Sequence, residues 1–350
     1  MSGTTDNKSI NWINAAKAIC ILAVFYVHCE IYYGMSFKPL SAILHPFYVN
    51  AFFFVSGYLM FWKQLSSPRI DENRSLYART SGRTMLGNIF WRIVVPSVLF
   101  ALIEFFPKKI IRGEAIAARP LLFETVGGTT YWFTSALVVA QLIFLLLFLT
   151  RNRNMWFYFL AAAVLTSVGG LLAAKGVNIV RGSSSFPWQY KQGLICMVYI
   201  AAGGLYWKYE EAVHRIFACR WVLAAVAVVM CALAIIFNDY LYSGYMVSLC
   251  KVHPIGVLFG ICASAVLVEL CKLLPEIAPL TFIGRNSIGF YFMSGALPIC
   301  FSLIAGKLLP VHSPAVMLAI WAACVAVAYV VMLALMRFIP WIFDFRKLKK

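Results

Sequence analysis

The sequence contains few charged residues. Aspartate, glutamate, lysine and arginine make up 12% of the 350 residues, and only 13 residues are acidic. Water-soluble domains contain about 25% charged residues. Hydrophobic residues reach 62%, and the mean hydropathy is +0.83. This composition excludes a water-soluble enzyme, a disordered chain and a typical nucleic-acid-binding protein, so no nucleic acid is expected as a partner.

Two further patterns are missing from the sequence. The ten cysteines include no C-x-x-C pair and no His-Cys cluster, and several of them, such as Cys20, Cys196 and Cys324, fall inside apolar runs. They are therefore expected to be small hydrophobic residues, without disulfides or a metal site. No signal-peptide cleavage site follows the first apolar block, which is expected to remain as a permanent helix.

Apolar runs of about 18–25 residues, the length that crosses a bilayer, recur along the chain. They predict an all-α fold, a polytopic membrane helix bundle with about ten transmembrane helices that forms a single domain over residues 1–350. The stretch 238–253 fits this pattern least well and is expected to be a loop or a re-entrant piece. The predicted spans are residues 12–33, 43–62, 85–106, 131–150, 155–174, 190–207, 219–237, 254–273, 282–305 and 314–338.

The basic residues predict the orientation of these spans. With both termini in the cytoplasm, nineteen of the 30 lysines and arginines fall on the side of the termini, ten fall on the other side, and Arg92 lies inside a span. Cytoplasmic loops carry such an excess of basic residues. The net charge of +17 is therefore expected to face the head groups of membrane lipids.

The first span carries ionisable residues that are costly in a bilayer unless they face the interior of the bundle. Lys17 and His28 are eleven residues apart, so both point in nearly the same direction and are separated by about 16 Å along a helix. Histidine is the side chain best suited to proton transfer near neutral pH. Alternatively, Lys17 extends to the head groups and His28 only bonds a neighbouring helix. Glu30 lies on a different face of the helix, so another span must orient His28.

The second and third spans carry further candidates. Ser56 and Gly57 allow a neighbouring helix or a substrate to approach the backbone closely. His45 precedes them and is expected to be hydrated at the outer interface. Arg83 and Arg92 would suit a ligand with phosphate groups that enters from the cytoplasm, because the planar guanidinium binds phosphate well.

Two later segments complete the set of candidates. Trp132 opens the fourth predicted span, where an interfacial aromatic belt is the simplest interpretation. Asn286 and Ser287 lie at the start of the ninth predicted span and are expected to cap that helix.

The motifs that contain these residues, taken in their order along the chain, resemble those of the integral-membrane acyltransferase family 3. Two positions depart from the family pattern: Ser294 stands where relatives often have histidine, and Ile89-Phe90 stands where many have paired basic residues. The pieces that carry the resemblance are Lys17-x10-His28, Phe52–Tyr58 (FFFVSGY), Arg92–Pro96 (RIVVP), Tyr131–Phe133 (YWF) and Ile283–Ser287 (IGRNS).

The resemblance implies an acetyl-CoA-dependent O-acyltransferase in a bacterial inner membrane. Its acceptor would be a hydroxyl of a surface glycan or lipid-linked sugar, and acetyl-CoA would be a co-substrate, with no permanently bound cofactor. His28 would be the catalytic base, and Lys17, Arg83 and Arg92 would bind the acyl donor.

Two other functions are compatible with the sequence. A multi-span transporter or flippase would also have many spans and a basic inner face, although such proteins usually contain paired halves, which are not evident here. A non-catalytic partner of a surface-glycan synthesis complex is the other alternative.

Overall fold

The computed structural model describes residues 5–65, 74–150, 152, 154–180, 186–308 and 313–343. About 83% of the chain is helical, which confirms the all-α prediction. The one strand in these ranges, β1, has two residues and lies beside Met246. The elements are α1 (Thr5–Tyr33), α2 (Lys38–Leu44), α3 (Asn50–Leu65), α4 (Arg74–Ile89), a π-helical turn (Phe90–Val94), α5 (Val95–Arg112), α6 (Ala118–Glu124), α7 (Trp132–Phe148), α8 (Met155–Ala174), α9 (Tyr190–Ile195), α10 (Met197–Lys208), α11 (Glu210–Ile216), α12 (Arg220–Ile236), α13 (Asn238–Tyr245), a 3-10 turn (Val247–Leu249), β1 (Lys251–Val252), α14 (Pro254–Leu273), α15 (Ala278–Arg285), α16 (Ser287–Leu308), α17 (Pro314–Phe338) and a 3-10 turn (Pro340–Phe343).

Six helical segments in the described ranges are long and apolar enough to cross a membrane. A seventh span results if α11 and α12, which are bent by 90° relative to each other, are counted together. The chain is therefore a polytopic integral membrane protein, whereas the count of ten and the cytoplasmic termini stay predictions. The six segments are Asn11–Tyr33, Gly82–Ile110, Met155–Ala174, Pro254–Leu273, Ser287–Lys307 and Pro314–Phe338.

The remaining predicted spans fall on shorter helices. Residues 43–62 and 131–150 correspond to α3 and α7, which have 16 and 17 residues. Residues 190–207 are divided into α9 and α10 at Cys196. The stretch 238–253, expected to be a loop or a re-entrant piece, forms α13, a 3-10 turn and β1.

The chain forms two compact units. The first comprises Met1–Phe52, Glu211–Tyr245 and His253–Pro340, and the second comprises Phe53–Glu210, Met246–Val252 and Trp341–Lys350. In the first unit, α1 packs against α14, α15, α16 and α17. Of the apolar window of α1, 78% is buried inside the protein, compared with 22% for α8 in the second unit. The polar side chains of α1 therefore lie mainly among other helices.

The N-terminal part of α1 contacts α14 through a lysine that also takes part in a buried ionic network. Glu269 of α14 is 2% exposed, and its carboxylate lies 3.1 Å from both Nδ1 of His214 and Nζ of Lys272. The Lys272 ammonium also lies over the ring of Trp12 in α1, 5.6 Å from its centroid. A buried carboxylate persists only with such partners, so this network holds the two helices in register.

In the second unit, glycines bring α3 and α10 together. A Cβ atom on Gly57 would overlap the carbonyl group of Ile200, and one on Gly203 would overlap that of Phe54. At the end of this contact, the hydroxyl of Tyr58 donates a hydrogen bond of 2.7 Å to the Glu210 carboxylate. Close backbone contact is the usual role of small residues between membrane helices.

All ten cysteines lie within the described ranges, and each of them is a free thiol.

Candidate active site

His28 is held by the backbone of a neighbouring helix. Its Nδ1 lies 2.5 Å from the carbonyl oxygen of Ser294 in α16, and its ring meets the ring of Tyr32 edge-on at 6.0 Å. A carbonyl oxygen can only accept a hydrogen bond, so the proton of the neutral imidazole must be on Nδ1. This tautomer leaves the lone pair on Nε2, which makes Nε2 the basic nitrogen.

Ser294 supplies the orienting group that the sequence did not identify. The Ser294 side chain is 1% exposed, and its hydroxyl donates to the carbonyl of Tyr291 at 2.7 Å, within its own helix. Only the main-chain oxygen therefore meets His28. The sequence draws attention to residue 294, because relatives often have histidine there. It does not reveal that the backbone carbonyl makes the contact.

The glycine of the IGRNS segment explains how α16 reaches His28. A Cβ atom on Gly284 of α15 would overlap the backbone carbonyl of Asn14 in α1. Because glycine lacks this atom, α15 packs directly on the backbone of α1, and α16 follows after Arg285–Asn286. Lys17, half-buried, lies on α1 between this contact and His28.

Asn286 lies between α15 and α16, and the capping of α16 by the side chains of Asn286 and Ser287 stays a prediction. The Asn286 side-chain amide donates a hydrogen bond of 2.9 Å to the carbonyl of Phe282, and Asn286 is the C-cap residue of α15. Ser287 is the first residue of α16. The Phe282 carbonyl also accepts from the backbone N–H of Asn286, and the Asn286 carbonyl accepts from the backbone N–H of Gly289, so Asn286 joins the end of α15 to the start of α16.

Glu30 lies near the C-terminal end of α1, on the opposite face from His28. Its carboxylate accepts a hydrogen bond of 2.7 Å from Ser41 of α2, and Nε2 of His45 lies 3.9 Å away. The expectation of a hydrated His45 is wrong, since only 13% of its side chain is exposed. The rings of Tyr48 and Tyr242 enclose it.

Arg83 and Arg92 belong to the second unit. Arg83 is exposed on α4, and Arg92 is exposed in the π-helical turn that precedes α5. Pro96 lacks an N–H group, so the Arg92 carbonyl loses its usual helical donor, which favours a π-helical turn at this point. Lys63 of α3 is close enough to Arg92 for their like charges to interact electrostatically. The sequence interpretation did not include Lys63.

The other predicted residues of this unit lie on α3 and α7. Gly57 is buried where α3 crosses α10, and Ser56 is half-buried beside it. Trp132 is the first residue of α7, half-buried, with its ring edge-on to Phe133 at 6.2 Å. Close approach of a neighbouring helix is therefore observed at Gly57, and a contact of Ser56 with substrate stays a prediction.

Glu104 is an intramembrane carboxylate that the sequence interpretation missed. It lies within the apolar segment Gly82–Ile110 and is half-buried. The hydroxyl of Tyr131 donates a hydrogen bond to it. The signal was present in the sequence, because an acidic residue inside a predicted span is unusual.

The fold defines a polytopic membrane protein in which His28 is hydrogen-bonded between two helices, α1 and α16. The model of acyltransferase family 3, described as an acyltransferase domain, matches residues 10–337. The chain therefore belongs to this family of membrane acyltransferases. Comparisons with curated proteins and with solved structures give no match.

Proposed function

We propose that the protein transfers an acetyl or similar short acyl group from cytoplasmic acyl-CoA to a hydroxyl of a glycan or lipid-linked sugar, in a bacterial inner membrane. The observation that carries this proposal is the hydrogen bond between Nδ1 of His28 and the Ser294 carbonyl, because it leaves Nε2 as the basic nitrogen of a half-buried histidine within a membrane-spanning segment.

The proposed reaction has two proton transfers. Nε2 of His28 takes the proton of the acceptor hydroxyl as the oxygen attacks the carbonyl carbon of the thioester. The carbon–sulfur bond then breaks, and the departing thiolate takes the proton from the imidazolium. A sugar ester and free coenzyme A are formed, and His28 returns to its neutral tautomer. A positioned base of this kind contributes about 10²–10⁴-fold to the rate.

The donor is proposed to bind through basic side chains. Lys17 precedes His28 by about 16 Å along α1, a separation suited to a phosphorylated nucleotide at one end and a thioester at the other. Arg83, Arg92 and Lys63 add positive charge in the second unit. Arginine binds phosphate through paired hydrogen bonds, which supports a role in holding the nucleotide.

Purified protein in detergent, supplied with acetyl-CoA and a glycan mixture, is expected to release free thiol and to acetylate the glycan. Thiol release is measured with a thiol-reactive dye and acetylation by mass spectrometry. The mixture without protein is the control. Neither thiol release nor acetylated glycan from the folded protein would contradict the proposed function and would favour a transporter or a non-catalytic partner.

Replacement of Arg92 by leucine is expected to raise the KM for acetyl-CoA by about tenfold or more, because a charge-assisted hydrogen bond to phosphate contributes about 1.5–3 kcal/mol. The KM for the glycan acceptor is expected to stay unchanged. Steady-state kinetics with each substrate varied in turn measures both constants.

Arg92→Lys is the matched control, since it keeps the positive charge but cannot form the paired hydrogen bonds of arginine. It is expected to show a smaller rise in the KM for acetyl-CoA. Equal changes in the two KM values for Arg92→Leu would show that Arg92 is structural.

A further inference from the structure

A polar and aromatic group surrounds Glu30 on the face of α1 that points away from His28. We call it the Glu30 cluster, and it consists of Glu30, Ser41, His45, Tyr48 and Tyr242. Ser41 donates to one carboxylate oxygen of Glu30 at 2.7 Å, and Nε2 of His45 lies 3.9 Å from the other oxygen. The carboxylate has four acceptor positions, so this single short bond leaves most of its hydrogen-bonding capacity for other donors.

The Glu30 carboxylate has few basic neighbours. Within the described ranges, His45 is the only basic side chain within 4.0 Å of this carboxylate. His45 lies between α2 and α3, and burial lowers the pKa of its imidazole, an effect that the nearby Glu30 charge opposes. The 3.9 Å separation of His45 and Glu30 is too long for a hydrogen bond, so His45 does not occupy the acceptor positions of the carboxylate.

The cluster also offers ring surfaces and an unused polar atom. The His45 ring lies 5.1 Å from the ring of Tyr242 and 5.8 Å from that of Tyr48. Tyr242 is half-buried, whereas Tyr48 is buried. Nδ1 of His45 is enclosed and has no hydrogen-bond partner among the described residues. A carboxylate beside aromatic rings suits a sugar, whose hydroxyls donate to the carboxylate while its C–H face covers a ring.

We propose that the Glu30 cluster binds an uncharged sugar unit of the acceptor and excludes acidic sugars. This proposal rests on the proposed function. Glu30 is about 3 Å further along α1 than His28 but about 200° around the axis, so the two side chains cannot hold the same hydroxyl. The bound unit is therefore a different unit from the sugar that is acylated, which makes the acceptor a saccharide of at least two units. Because no other basic side chain of the described ranges lies within 4.0 Å of it, the Glu30 carboxylate would repel a sugar that carries a carboxylate or phosphate.

The test uses glycans released from the expressing cells and separated by anion exchange into a neutral pool and an acidic pool. With radiolabelled acetyl-CoA, the wild-type protein is expected to label the neutral pool at least about tenfold more efficiently than the acidic pool. A tenfold difference corresponds to the loss of one hydrogen bond between a sugar hydroxyl and the Glu30 carboxylate. Equal labelling of the two pools would overturn the proposal. Labelling of neither pool would instead overturn the proposed function.

Glu30→Gln tests the carboxylate itself. Glutamine keeps an oxygen that accepts from Ser41, so the fold is expected to persist, as monodisperse elution in detergent would verify. The variant is expected to raise the KM for the neutral pool about tenfold, to leave the KM for acetyl-CoA unchanged and to accept the acidic pool more readily than the wild type does. The control is Glu211→Gln, which removes a carboxylate that is 94% exposed and is expected to change neither constant. An unchanged preference between the pools in Glu30→Gln would overturn the proposal.

Discussion

Replacement of His28 by alanine is expected to lower acyl transfer by about 10²–10⁴-fold, the usual contribution of a positioned general base. Nε2 is the only nitrogen of the neutral ring that can take a proton, because Nδ1 is engaged by the Ser294 carbonyl. The loss should appear in the rate of transfer of radiolabelled acetyl to glycan, measured with saturating concentrations of both substrates.

The control for this prediction is another histidine of the same unit. The side chain of His214 is 56% exposed and bonds the Glu269 carboxylate, which keeps Lys272 as a partner when His214 is replaced. His214→Ala is therefore expected to retain transfer. Wild-type rates in His28→Ala, in protein that inserts into the membrane normally, would remove His28 from the mechanism.

The second large effect is expected at Gly284. Replacement by valine would place side-chain atoms where the Asn14 backbone lies, so α15 must move away from α1. Overpacking of this kind costs about 1–3 kcal/mol, and here the neighbouring group is backbone, which cannot rotate away. Both the apparent Tm of the protein in detergent and the acyl-transfer rate are expected to fall, because α16 follows α15 and carries the oxygen that holds His28.

Gly306→Val provides a matched comparison. Gly306 lies in α16, and a Cβ atom there would meet no atom within 4 Å. The two variants introduce the same side chain into a helix, so their difference isolates the α1–α15 contact. Gly284→Val protein with the stability and activity of Gly306→Val would refute the role assigned to this contact.

The sequence was informative where polar residues interrupt apolar runs. The 3.6-residue periodicity correctly placed Lys17 and His28 on one helix, and the order of the motifs predicted the family. The count of spans was harder to predict because composition does not reveal where a helix breaks. Cys196 is as apolar as its neighbours, yet it separates α9 from α10. At Asn286, the residue type suits either end of a helix, and composition did not reveal that α15 ends directly before this residue.

Tertiary contacts account for the other differences. His45 looked like an interfacial histidine because its enclosing rings, such as Tyr242, are distant in sequence. Glu30 was correctly excluded as the orienter of His28, but its contact with Ser41 depends on how the short helix α2 folds back. The roles of Glu30, Arg83 and Arg92 in substrate binding stay predictions, since sequence and structure provide their positions and charges but no bound ligand.

The oxygen that holds His28 belongs to the polypeptide backbone, and this has a consequence for genetics. Every amino acid provides a carbonyl at position 294, so codon changes there can alter packing but cannot delete the hydrogen-bond acceptor. Saturation mutagenesis would therefore underestimate the importance of the Ser294 carbonyl. Chemical synthesis can change the carbonyl itself. An ester in place of the amide between Ser294 and Gly295 would weaken the carbonyl as an acceptor while leaving every side chain intact.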